Sequence, residues 1–329
     1  MSTDKATIEH ISIALATNPT FRNRVVSHYR KWWWAHLVVL TICVLTVTLP
    51  LVYVGYPNIA QSDIDDSTLT ISALIITDPS PVGFDLNMTQ TIGTGSIFHP
   101  TVFEFKSEVG LAGEESSSPF ATVTVPDVVA KDGATMDIQQ WVELTNETTF
   151  TDFVITLLKE EYFGISVSGK PKLKLGALPT IDVSYKKDVT LKGLNNLKGL
   201  QVVELSLDSG LDDGNNARGR VFIPNLSVMT LTMGNVTVNL SSNGTSLGRG
   251  TIPDLVLVPG NNTVDMVSKL NQEKLVQTLS QLPENTSTIS LTIAGNSSTY
   301  DGQDIPYLTA ALSSTTFDMQ LNLLELLGH

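Results

Sequence analysis

The chain has 329 residues, room for about two domains, with 42% hydrophobic and 16% charged residues, so it is neither disordered nor highly charged. A net charge of −13 speaks against a nucleic-acid partner, because phosphate neutralisation needs clustered Lys and Arg. A single cysteine, Cys43, excludes an intramolecular disulfide framework, a CxxC redox centre and a thiolate zinc site.

In chain order, residues 1–31 read as a basic tail, with Lys5, Arg22, Arg24, Arg30 and Lys31 against Asp4 and Glu9, net +3. Residues 32–57 read as a transmembrane signal anchor. The centre, 37–54, carries no charge over 18 residues, matching a bilayer core of roughly 30 Å at about 1.5 Å per residue. Trp32, Trp33 and Trp34 mark one interface, and Tyr53 and Tyr56 suit the other. Thr41, Thr46 and Thr48 can bond back to carbonyls of their own helix, and Pro50 is placed to kink the last turn or end it. A buried core helix does not account for two aromatic belts. A cleavable signal peptide does not account for a long span that begins after thirty residues and lacks a small-residue cleavage site. The positive-inside rule puts the tail in the cytosol and the remainder, net −16, across the membrane.

Asn-x-Ser/Thr triplets fall at Asn87, Asn146, Asn225, Asn235, Asn239, Asn243, Asn261, Asn285 and Asn296, all after the span. Chance gives roughly four, so the excess predicts glycosylation at some of them and a lumenal or extracellular location. That part has no cysteine and must hold together by core burial, which its size allows.

Residues 58–66, with Asp63, Asp65 and Asp66, read as a polar linker. Beyond it the pattern is mainly β. Leu69, Ile71, Ala73 and Ile75 alternate with mostly polar neighbours, as do Val203, Leu205 and Leu207, and Val236, Val238 and Leu240. Period two with one apolar face predicts half-buried antiparallel strands. Two segments switch to helical period. Phe150, Phe153, Val154, Leu157 and Leu158 form one stripe, with Thr149 and Asp152 at capping-box spacing; Leu275, Val276, Leu279 and Leu282 form another, ended by Pro283.

That order predicts an internal repeat. Pro126–Asp127 matches Pro253–Asp254 at an offset of 127, Gly169 matches Gly295 and Gly176 matches Gly302 at 126, and Pro179 matches Pro306 at 127. Ile181, Val183 and Tyr185 correspond to Phe317, Met319 and Leu321. Upstream, Asp78–Pro79 corresponds to Pro224–Asn225 if the first copy carries about 19 extra residues. The expectation is two tandem seven-stranded β-sandwich domains, 67–195 and 196–329, each with one α-helix.

Two stretches carry a family likeness: Val221-Phe222-Ile223-Pro224-Asn225-Leu226-Ser227, and Gly250-Thr251-Ile252-Pro253-Asp254 followed by Val258-Pro259-Gly260-Asn261. Thr77-Asp78-Pro79-Ser80 and Thr124-Val125-Pro126-Asp127 are their counterparts. This pattern resembles the late-embryogenesis-abundant type 2 domain. The whole arrangement resembles fungal single-pass membrane proteins, associated with the vacuole, whose lumenal part is built from such repeats. The resemblance implies the seven-stranded sandwich, a vacuolar membrane ahead of the plasma membrane or another endomembrane, and a hydrophobic groove of the kind proposed to hold lipid in relatives.

Catalytic patterns are sparse. Beyond the span the histidines are His99 and His329, with no His-x-His or His-x-x-x-His. Gly164-Ile165-Ser166-Val167-Ser168 fails as a nucleophile elbow, and Gly93-Thr94-Gly95 is too short for a dinucleotide fingerprint. Asp208, Asp212 and Asp213 with Asn215 and Asn216 read as a solvated turn rather than a calcium loop, and Glu114 and Glu115 as loop. Asn235, Asn239 and Asn243 share parity, so their strand presents them on one face. The expected protein is not an enzyme and has no cofactor and no metal. It is a membrane-anchored structural or regulatory binding module with protein partners on the lumenal side, or alternatively a binder or transfer protein for lipid or another apolar ligand. A solvent-open apolar groove would favour the second reading and a filled core the first.

Overall fold

The computed structural model describes residues 21–113, 118–208, 210–281 and 288–322. Asn285, Glu114, Glu115, Leu282, Pro283, His329 and most of the basic tail lie outside them. The chain divides into two bodies, residues 1–56 and 57–329.

The first body is helix α1 (Phe21–Pro50) and the wider turn Leu51–Gly55. The apolar helical stretch counted from Arg30 runs 37 residues to Asp66, with a mean hydropathy of 2.6 in its most apolar window, and is long and apolar enough to cross a membrane. The threonines bond as expected: Thr41 Oγ1 donates to Leu37 O (2.9 Å), Thr46 to Ile42 O (2.7 Å) and Thr48 to Val44 O (2.9 Å). Pro50 does not end the helix. The Tyr56 N–H reaches Leu51 O, five residues back, and this widened turn absorbs the proline.

Helix α2 (Tyr56–Asp66) occupies the segment expected as a polar linker. Its carboxyl end would place acidic residues at the negative pole of the helix. Lys187 compensates, its Nζ donating to the Asp65 carbonyl (2.9 Å) and to the Ser67 carbonyl.

Seven principal strands follow: β1 (Thr68–Ser80), β2 (Gly83–Gly93), β3 (Phe105–Leu111), β4 (Ala121–Val125), β5 (Ala134–Glu143), β6 (Tyr162–Gly169) and β7 (Tyr185–Lys192). Helix α3 (Glu147–Lys159) lies between β5 and β6. One sheet runs β1-β2-β5 and the other β4-β3-β6-β7. All five stripe residues of α3 are buried. Its N-cap is Asn146, whose side chain accepts the Thr149 N–H (3.1 Å), so the helix starts before the capping box read at Thr149.

Seven more strands repeat the plan: β8 (Gln201–Leu207), β9 (Ala217–Asn225), β10 (Met229–Ser242), β11 (Thr245–Leu257), β12 (Gly260–Leu270), β13 (Thr288–Tyr300) and β14 (Thr316–Asn322). Helix α4 (Gln272–Ser280) lies between β12 and β13. The pairings β8-β9-β12 and β11-β10-β13-β14 mirror the first half strand for strand. The mirrored order agrees with the downstream part of the repeat and corrects its ends. Asp78–Pro79 ends β1, whereas Pro224–Asn225 ends β9, the equivalent of β2. Those dipeptides are therefore not counterparts, and no large insertion is needed. The closing strand of the first half is Tyr185–Lys192, while Ile181 belongs to a small sheet formed by Thr101–Val102, Val128–Val129, Lys172–Lys174 and Ile181–Asp182. Pro306 is not a turn residue like Pro179: it starts helix α5 (Pro306–Ser313), giving the second half two helices rather than one. In β8 a bulge at Val203 spoils the expected face. Leu205 is buried, while Val203 and Leu207 are exposed.

The halves share one sheet. Leu74–Ile76 of β1 pair in parallel with Met229–Leu231 of β10. The Tyr300 hydroxyl donates to Asp78 Oδ1 (2.7 Å), which raises the phenol's pKa above its ordinary value. The Tyr307 ring on α5 meets Phe150 of α3 edge-on at 4.9 Å. Burial pushes the Tyr307 phenol up as well, and its hydroxyl has no hydrogen-bond partner among the described residues.

Candidate functional site

Between the two sheets of the first half lies a partly open apolar cavity of about 70 Å³. β1 contributes Leu69 and Ile71, β2 Met88 and Gln90, β3 Ser107 and Val109, β6 Val167, and α3 Phe150 and Phe153. Alternation in β2 explains the inward set. Leu86, Met88 and Gln90 share parity and face the interior, while Asn87 and Thr89 face out, where Thr89 Oγ1 donates to Asp137 (2.7 Å). Gln90 therefore stands where the pattern calls for an apolar residue.

Two polar side chains line this cavity. Ser107 is satisfied, its Oγ donating to Ser168 O (3.2 Å). Gln90 is 4% exposed as a residue and no group among the described residues hydrogen-bonds its amide, whose atoms keep some accessible surface rather than being fully buried. The signal for it is present in the sequence as a polar residue at an inward position of a strand, but parity alone does not reveal the cavity beside it.

The corresponding space in the second half is about 20 Å³, lined by Leu240, Met266, Leu275 and other aliphatic residues. The cause lies in how each sandwich closes. In the second half β11 and β12 pair directly, Gly248–Thr251 against Leu270–Val267, so the two sheets become one. In the first half the equivalent strands β4 and β5 are separate. A lone bridge, Ala121 to Leu144, holds one end of the seam. Further along, the Gln140 side chain stands in for a ladder, accepting from Thr124 N (3.2 Å) and donating to Thr124 O (3.4 Å).

The acceptor asparagines are placed unequally. Asn87, Asn235, Asn239, Asn243 and Asn261 are exposed; Asn146 and Asn296 are half-buried. Asn146 caps α3. Asn235 and Asn239 share a face as expected, opposite the buried Val236, Val238 and Leu240. Asn239 Nδ2 lies 3.4 Å from Asn296 Oδ1 on the neighbouring strand, so two acceptor sites sit side by side. Asn225 is different. It is 1% exposed, its Nδ2 donates to Met229 O (2.7 Å), and its Oδ1 accepts from Ser227 N and Oγ. The nitrogen that would carry a sugar is committed to the fold.

His99 is an exposed turn residue with Nδ1 3.3 Å from Ala130 O. Asp212 and Asp213 sit in an exposed turn. Asp208 accepts from Gly210 N–H (2.9 Å) and pairs with Arg218 (2.6 Å). Among the described residues no three His, Cys, Asp or Glu side chains cluster as a metal site.

A family described as a protein of unknown function (DUF3712) matches residues 118–240, a segment that begins ahead of β4 and ends in β10 and so straddles both halves. No curated protein matches the chain. Solved structures similar to it include red sea bream transglutaminase, at 12% identity and TM-score 0.26, covering 77% of this chain and 31% of that one. The periplasmic chaperone SfaE matches at 12% identity and TM-score 0.17, covering 69% and 93%. The CupB6 tip adhesin from Pseudomonas aeruginosa matches at 9% and 0.19, covering 70% and 94%. The chain spans about a third of the length of the transglutaminase.

Proposed function

We propose that the chain is a non-enzymatic, single-pass membrane protein whose β-rich body is a binding module, with its ligand seat in the cavity of the first sandwich. The observation that carries this reading is Gln90, an amide that lines an otherwise apolar space and has no hydrogen-bond partner among the described residues. A ligand that fits has an apolar body and one group able to hydrogen-bond an amide. The volume sets its size. At about 70 Å³ the space is roughly half that of an engineered cavity of about 150 Å³ that admits benzene. It suits the end of an acyl chain or a short amide or alcohol rather than a whole lipid. The N-terminus lies in the cytosol and the body on the lumenal or extracellular side. Flanking charge supports that orientation, as does the exposure of Asn87, Asn235, Asn239, Asn243 and Asn261, where glycans have room. Glycosylation at these sites, fungal origin and a vacuolar membrane follow from the sequons and the late-embryogenesis-abundant type 2 resemblance, and belong to the same proposal.

The test is native mass spectrometry of the full-length, deglycosylated chain released from detergent, compared with Gln90→Leu. We expect a small adduct on the parent chain and its loss in the variant. The variant should also be somewhat more stable, because an amide without a partner is replaced by an apolar side chain. A bare mass for both proteins, with a stability gain in the variant, would assign Gln90 to a core defect and sink the ligand reading.

A further inference from the structure

The register places several loops of the first sandwich at the end where the chain comes in from the span. Thr68 pairs with Gly93, Ile92 with Ala134, Phe105 with Val125 and Gly169 with Tyr185, so the connections after β2, β4 and β6 all project from that end. Helix α2 is bonded to two of them. Ser96 Oγ donates to Asp63 Oδ2 (2.6 Å), and Gln61 exchanges two hydrogen bonds with the Ser184 backbone (2.8 and 2.9 Å). Asp63 is seven residues from Tyr56, about 10 Å of helix. In the chain, only helix α2 separates this end of the body from the helix read as the anchor.

The same end is apolar where it should be polar. Ile97, at 83%, is the most exposed large apolar side chain among the described residues, more so than any in the spanning helix; Phe98 is 45% exposed, Val129 51% and Ile59 of α2 50%. Val82 (55%), Trp141 (49%) and Tyr162 (60%) are exposed at the opposite end, so what sets this end apart is the adjacent pair Ile97 and Phe98 together with its nearness in the chain to the N-terminal helix. Lys172 and Lys174 of the small sheet and Lys131 of the neighbouring turn are exposed and have no ion pair among the described residues. Asp182, Glu104 and Asp127 are also exposed there, and Asp127 Oδ1 accepts the Glu104 N–H. Asp63 is bonded to Ser96, and Asp132 accepts the Thr94 N–H (3.1 Å), so these carboxylates brace the loop that carries Ile97.

We propose that this end of the first sandwich docks on the bilayer that the chain's own helix spans, with Ile97 and Phe98 inserted at the headgroup boundary and Lys172 and Lys174 over lipid phosphates. The body is then held at two places, by its anchor and by a lipid-facing loop. The inference rests on the reading of the N-terminal helix as a membrane anchor.

The test uses the full chain reconstituted in phosphatidylcholine vesicles, with and without phosphatidylserine. In a Cys43→Ser background, an environment-sensitive fluorophore is attached at Gly95→Cys, where an added side chain meets nothing within 4 Å. A control carries it at Val82→Cys, in the turn at the opposite end of the same sandwich. Native Cys43, labelled in the parent chain, reports on the anchor. We expect lipid-borne quenchers to act several-fold more strongly on the label at 95 than on that at 82. Ile97→Asp should remove the difference, and Lys172→Glu with Lys174→Glu should reduce it. Equal quenching at 95 and 82, with Cys43 quenched, leaves the anchor standing and overturns the docking. An unquenched Cys43 label overturns both. A label at 95 shielded from lipid-borne and aqueous quenchers alike means that protein covers this end, and also overturns the proposal.

Discussion

The two sandwiches are built on one strand plan and differ at one edge. In the second, β11 and β12 pair through backbone hydrogen bonds and the interior keeps about 20 Å³ of empty space. In the first, the equivalent edge is held by one bridge and the Gln140 amide, and about 70 Å³ remains. The lesson is geometric. Zipping the edge draws the facing sheets together and lets aliphatic and Met side chains fill the space, whereas leaving it open preserves a cavity without any change in the rest of the topology. A fold can thus carry a close-packed copy and a hollow copy of itself in one body.

The repeat-related glycines give the sharpest contrast. A Cβ at 295 would strike the Leu312 backbone carbonyl in the last turn of α5, whereas a Cβ at 169 would mainly meet the Phe105 ring, at 2.7 Å. Gly295→Ala should cost ~3 kcal/mol or more, since backbone cannot step aside, and Gly169→Ala ~1–2 kcal/mol. Urea denaturation of the two full-length variants tests this; equal losses would show that the halves pack alike around these positions. A smaller effect tests the seam. Gln140→Ala should cost ~1–2 kcal/mol and speed hydrogen exchange at Thr124, with Thr251 in the zipped edge unchanged. Slowed or unchanged exchange at Thr124 would mean that the first edge closes without its amide.

The smallest effect concerns charge. Both ion pairs among the described residues, Arg218–Asp208 and Arg220–Glu204, lie on the β8–β9 hairpin of the second half. The Gly210 N–H above all, and then Arg218, hold the Asp208 carboxyl below its ordinary range. A lowered folded value contributes stability above the unfolded carboxylate's pKa and loses it as pH falls through the folded value. Asp208→Asn should therefore be slightly less stable than the parent at neutral pH and match it in acid. A difference that persisted in acid would have another cause, such as the altered bond to Gly210.

Much of this fold is legible in the amino-acid order. The 3.6-residue stripe of α3 and the alternation of Val236, Val238 and Leu240 are long, one-faced patterns, and both elements lie where those patterns put them. Short or compensated elements are not legible. Helix α5 has eight residues and reads as an ambiguous apolar run. Helix α2 depends on Lys187, 120 residues or more away, to satisfy its last carbonyls. The equivalence of β1 with β8 follows from pairing rather than from shared residues, so punctuation alone misaligns the ends of the repeat. The cavity is the hardest to foresee, because volume depends on whether two edges meet. The polar residue at position 90 is visible in the strand pattern, but the space beside it is not.

The parallel pairing of β1 with β10 also imposes an order on synthesis. The outer edge of β1 at Leu74–Ile76 stays bare until Met229–Leu231 has been made, ~155 residues later. At roughly 5–20 residues per second that wait is on the order of ten to thirty seconds. During it the first half offers an open strand edge to any neighbouring chain. Ribosome spacing and chaperone access therefore bear on the yield of this protein. A pause that lengthened the wait would favour pairing between chains over pairing within one.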